Sequence, residues 1–213
     1  MTVSVENVNS AGTSSTQGSL SCTLTTVNAN LLIVCVCIRL STVGTVTGVT
    51  FDGVAMTQVN VAAYSTSLKT YMFYLKNPHI GVGLTCTATF STNHNAEMGA
   101  IGIIGADPTT PLGTSNVANG SSGTAAVTVS SQTGDLVIDA EGDYQKTPTP
   151  DGSQSSLYVN TTSTVAEGGS STKPGAASVT MQWTMTSTSW AIVAVPIHAA
   201  PVSGPNFQAI SIM

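Results

Sequence analysis

The sequence predicts an all-β protein, an antiparallel two-sheet β-sandwich of jelly-roll-like type with long loops and an extended C-terminal arm. Three observations predict it. Helical periodicity is nearly absent from the 213 residues. Short runs rich in Val, Ile, Thr and aromatic residues alternate with polar ones, as half-buried strands do. Clusters of Gly, Asn, Ser and Pro punctuate these runs at roughly the 8–12-residue spacing of sandwich folds.

Taken in order, strands are expected at 2–8, 18–27, 31–40, 43–51 and 54–61. Further strands are expected at 68–75, 82–90, 96–106, 124–130, 134–141, 154–161, 176–185 and 189–197. Leu31-Leu-Ile-Val-Cys-Val-Cys-Ile38 is apolar at every position, so it should be a central strand covered on both faces. Asp52-Gly53 between two strand patterns signals a tight hairpin. Asn77-Pro78-His79, Asp107-Pro108 and Gly134-Asp135 read as turns. Gly113 to Thr124 and Gln145 to Ser156 read as long surface loops. Trp183 and Trp190 alternate with apolar neighbours and are expected in the core. Residues 1–200 form one domain in this reading. Residues 201–213 form an arm, because Pro201 and Pro205 oppose regular structure while Phe207, Ile210, Ile212 and Met213 are apolar and need a surface. That surface is either the same domain or a neighbouring subunit.

Composition narrows the function. Apolar residues make up 41% of the chain, enough for a core, but charged residues only 7%. Ser and Thr account for 59 positions, so the polar surface is mostly hydroxyl. Five basic residues and a net charge of −5 exclude a nucleic-acid footprint and a polybasic membrane patch. The first residues lack a basic and an apolar leader segment, and Leu31 to Ile38 is too short to span a bilayer. Synthesis and folding in a cytoplasm are therefore expected. Cys22, Cys35, Cys37 and Cys86 form no CxxC pair and are expected as buried, reduced thiols, with a Cys22–Cys86 disulfide as the alternative. Hydroxyl surfaces lose less solvation and side-chain entropy on burial than Lys, Glu or Arg surfaces, which suits a subunit held within an assembly.

No catalytic signature stands out. Gly-x-Ser-x-Gly is absent, and His79, His94 and His198 stand alone at expected turns or strand ends, so no enzyme is expected. Asp139, Glu141 and Asp143, at alternate positions, share one strand face. They are either a calcium candidate or a solvated outer face carrying some of the chain's few charges. Tyr64 and Tyr71 are candidates for an aromatic platform that stacks on sugar rings.

The segments Asn30-Leu-Leu-Ile-Val34, Val46-Thr-Gly-Val-Thr-Phe-Asp-Gly-Val-Ala-Met-Thr57 and Met72-Phe-Tyr-Leu-Lys-Asn-Pro78 resemble a β-sandwich module. That module recurs in phage virion proteins and bacterial surface proteins. Gly105-Ala-Asp-Pro-Thr-Thr-Pro-Leu-Gly113 and Gly134-Asp-Leu-Val-Ile-Asp139 continue the likeness, which covers most of residues 18–141 and extends to Trp190-Ala-Ile-Val-Ala-Val195. In that family these segments mark strands and turns, so the resemblance implies a fold and transfers no site residues. With no export leader visible, it leans toward the phage members. The expectation is a non-enzymatic virion structural protein, a capsid decoration or cement subunit contacting the major capsid protein or other virion subunits, itself homo-oligomeric or assembly-bound. The alternatives are a carbohydrate-binding or host-adhesion module, as in a tail fibre or surface adhesin, and a self-assembling filament subunit.

Overall fold

A computed structural model describes residues 2–39 and 44–201. The described residues contain strands and no helix. The strands are β1 (Ser4–Gly12), β2 (Gln17–Thr26), β3 (Leu31–Arg39), β4 (Val46–Phe51), β5 (Val54–Ala55), β6 (Thr57–Tyr64), β7 (Leu68–Lys76) and β8 (Gly81–Ile104). They continue as β9 (Asn116–Gly120), β10 (Thr124–Val129), β11 (Leu136–Asp143), β12 (Thr149–Pro150), β13 (Ser155–Asn160), β14 (Glu167–Pro174), β15 (Val179–Thr184) and β16 (Trp190–Ile197). All their pairings are antiparallel.

The antiparallel sandwich is present, and it is deeper than two sheets. The layers stack four deep, separated by three apolar seams. The first layer is β2, the front of β8, β4 and β5. The second is β1, the rear of β8, β3, β7 and β6. The third runs β13-β14-β11-β16-β9, and the fourth β10-β15-β12. β8 belongs to two layers: residues up to His94 pair with β2 and β4, and residues from Asn95 pair with β1 and β3.

Strand sequence explains layer position. In β3, Leu32, Val34, Val36 and Ile38 enter the first seam with Phe51, Phe73, Phe90 and Met98. The alternate residues Leu31, Ile33 and Cys35 enter the second seam with Met72, Ile101, Ile138 and Val193. β16 repeats the pattern: Ala191, Val193, Val195 and Ile197 face the second seam, while Trp190, Ile192 and Ala194 face the third with Trp183 and Met181. An outer-layer strand needs only one apolar face. β10 and β15 accordingly alternate buried Ala125, Val127, Val179, Met181 and Trp183 with outward Thr, Ala126 and Gln182.

The turn chemistry agrees with the sequence. Asp52 and Gly53 take φ of 47° and 79°, the successive left-handed pair of a hairpin turn. Some elements differ. The expected strands 82–90 and 96–106 are one continuous strand, because β8 bends between layers without breaking. β9 lies within the stretch expected as a loop, and β14, Glu-Gly-Gly-Ser-Ser-Thr-Lys-Pro, falls where no strand was expected. In β14, small residues replace apolar ones because large neighbours crowd it. A Cβ on Gly169 would lie 2.7 Å from the Trp183 ring, and one on Gly168 would collide with the Glu141 carbonyl oxygen.

Candidate functional site

β11 carries the acidic constellation. Asp139, Glu141 and Asp143 do share one strand face, but that face points inward and all three are fully buried. The expected solvated outer face is thus corrected: β11 pairs on both sides with β14 and β16 and lies in an inner layer. Asp139 is the best-bonded member. One oxygen accepts from Ser171 N–H at 2.7 Å and Ser171 O–H at 2.9 Å, and the other accepts from Trp183 Nε1–H at 2.6 Å. Burial pushes its pKa up to about 7 against those bonds. Asp143 accepts from the Lys146 amide at 2.8 Å through one oxygen, its other oxygen is unpaired among the described residues, and burial likewise raises it to about 7. Neither Glu141 oxygen has a partner among the described residues, and burial followed by the neighbouring Asp143 drives its pKa far above the usual carboxylate range.

Glu97 approaches from the rear of β8. It too is buried, and burial raises its pKa strongly. The Gly142–Gly168 pair separates it from Glu141, and a Cβ on Gly168 would meet Glu97 Oε1 at 2.9 Å. Glu167, opposite Asp143, completes a buried group of carboxyls; burial raises its pKa, and the nearby Lys146 ammonium opposes the rise. Among the described residues, no three or more His, Cys, Asp or Glu side chains are arranged to hold a metal ion. The cluster is a buried acid store whose neutral form the fold favours.

The remaining candidates fall in different places. Tyr71 is buried in the first seam, its ring centroid 6.2 Å from that of Phe73 and nearly parallel to it, so it presents no sugar platform. Tyr64 is half-buried at the end of β6 against Cys37, Leu68 and Ala166. Phe207, Ile210, Ile212 and Met213 of the arm lie outside the described residues. Trp183 and Trp190 are core residues, as expected.

The histidines are less solitary than the sequence suggested. His79 pairs with Asp52 at 2.7 Å in the open. His94 is buried, edge-on to Phe90, with burial lowering its pKa, and it lies inside the continuous strand β8 where a turn or strand end was expected. His198 Nδ1 lies 3.1 Å from Asp135 Oδ2 in a shallow cleft of about 500 Å³ with Gly113, Thr114, Ser130 and Ser131. A buried Asp orienting a His is half of a nucleophilic triad. Here Ser131 O–H donates to Asp135 at 3.0 Å and Asp135 also accepts from the Gln132 amide at 3.2 Å, so the carboxylate is organised as a turn brace. Sequence reasoning missed this pair, since 63 residues separate its members.

The outer faces are the most extensive shared feature. On the first layer, Ser19, Ser21 and Thr23 of β2 stand opposite Thr89, Thr87 and Thr85 of β8, and Thr50 of β4 flanks Thr87. On the fourth, Thr124 and Thr128 stand opposite Thr184 and Thr180, with Thr149 beside Thr184. Each face has a hydroxyl pair bridging strands at 2.8 Å, Ser21 to Thr87 and Thr128 to Thr180. The outer-layer segments, β2, residues 81–94 of β8, β4, β5, β10, β12 and β15, contain no Asp, Glu, Lys or Arg. The chain matches no family model, no curated protein and no solved structure.

Proposed function

We propose that this chain is a non-enzymatic structural subunit of a phage virion, a capsid decoration or cement protein that stabilises the shell through subunit contacts. The observation that carries the reading is that both outer layers, at opposite ends of the stack, present Ser and Thr on strands free of Asp, Glu, Lys and Arg. Burying such a face removes no charge from water, and its hydroxyls can be satisfied by a partner's backbone or by trapped water. Two opposed faces let one subunit bridge two neighbours. The four-layer stack gives the rigid body that such a bridge requires. Burial of Tyr71 takes away one of the two rings on which the sugar-binding alternative stood. The arm, with Phe207, Ile210, Ile212 and Met213, is the proposed second contact.

The test is location. Purified particles should carry the protein on the shell at a fixed ratio to the major capsid protein, and particles lacking it should burst at lower temperature or osmotic shock. Absence from purified particles overturns the proposal. Filaments formed by the isolated protein would favour self-assembly in its place.

A further inference from the structure

Cys22 and Cys86 come from strands far apart in the chain and stand directly opposite each other in the β2–β8 pairing. Both side chains point into the first seam, where they belong to the same packed cluster. Directly opposed residues on antiparallel strands bring their Cβ atoms to about 4.5–5.5 Å, close to disulfide range. Among the described residues β2 pairs only with β8, which makes it an edge strand, and its pairing is irregular on both sides of Cys22, between Gln17 and Ser19 and between Leu24 and Thr26. Cys22 retains 8% exposure at that edge, whereas Cys86 has none. Contact with Cys86 holds the Cys22 thiol below its ordinary pKa despite burial. Cys35 and Cys37 contrast with this pair. They are neighbours along one strand, fully buried, with burial and Glu97 raising both thiols.

We infer that Cys22 and Cys86 are a redox-reactive pair, converted by hydrogen peroxide into a cross-strand disulfide that staples the edge strand β2 to β8. The Cys22 thiolate attacks one peroxide oxygen, the O–O bond breaks, and hydroxide leaves to become water, giving a sulfenic acid. The Cys86 sulfur then attacks the Cys22 sulfur, the S–S bond forms, the S–O bond breaks and a second water leaves. Two thiols are oxidised and one peroxide is reduced to two waters.

The experiment treats the full chain with a small excess of hydrogen peroxide, denatures it under acid, counts free thiols and maps the cross-linked peptides. Free thiols should fall from four to two, with the bridge mapped to Cys22–Cys86 and reversed by dithiothreitol. The oxidised protein should also melt at a higher temperature. Cys22→Ala and Cys86→Ala should each abolish the bridge, and Cys35→Ala should leave it intact. Four free thiols after treatment, a Cys22 sulfinic acid without a bridge, or a bridge through Cys35 or Cys37 would each overturn the inference. None of these outcomes depends on the virion reading.

Discussion

Glu141 has two carboxyl oxygens with no hydrogen-bond partner among the described residues, in an inner layer and beside Asp143. A group so placed is kept as the neutral acid, and that fixes a pH dependence. A carboxyl whose pKa is higher folded than unfolded supports the fold fully below its unfolded value. That support is lost as pH rises through the folded value. For Asp139 and Asp143 the window runs from 3.8 to about 7, and Glu97 and Glu141 extend it upward. A tenfold change in acidity corresponds to about 1.4 kcal/mol, so a loss of support across this window is large enough to read in a melt. Thermal melts should therefore show a higher Tm at pH 5 than at pH 8, and Glu141→Gln should reduce the difference. A Tm that rises over that range would contradict the burial argument. The same protons should be visible in charge: isoelectric focusing of the folded protein should give a pI above the sequence value of 4.8, and urea should bring it back down. The pattern at Asp139, Glu141 and Asp143 was legible as one shared face. Its burial was not, because alternation says which residues point together and not whether another layer covers them.

At the level of strands, the long apolar runs were easiest to read. β3 and the Asp52-Gly53 hairpin appear where the pattern put them, since two-sided burial demands continuous apolar sequence and a two-residue turn demands left-handed residues. β14 was not legible, because Gly168, Gly169, Ser170 and Ser171 resemble a loop until Trp183, Tyr158 and Glu97 are seen leaning on them. Space, not propensity, selects those residues. Gly168→Ala should accordingly destabilise the protein by about 1–3 kcal/mol, since the new methyl meets the β11 backbone, which cannot turn away as a side chain can. Denaturant unfolding measures this directly. An exposed control such as Gly152→Ala, with open space around it, should change stability by less than about 0.5 kcal/mol.

For the molecule as a whole, the outer faces carry the proposal, so charge on them is the informative perturbation. Thr85→Lys and Thr124→Lys place one ammonium on each exposed hydroxyl face without entering a seam. Melting temperature should stay nearly unchanged while occupancy on particles falls at least tenfold, the effect of about 1.4 kcal/mol of lost affinity per contact. Deleting residues 202–213 should weaken attachment and leave the melting transition in place. Full occupancy of both variants would remove the assembly argument. The number of layers escaped the sequence because one apolar strand is compatible with any stack in which it is internal. The shared strand β8 also sets an order of events during synthesis. β1, β2, β3 and β4 all take β8 as a partner, yet it begins at Gly81, so a ribosome releases four strands before their common template exists. Until then only local hairpins such as β6–β7 and the β3–β7 ladder can close. The nascent chain thus waits, sticky and incomplete, for a single late arrival that zips two layers at once.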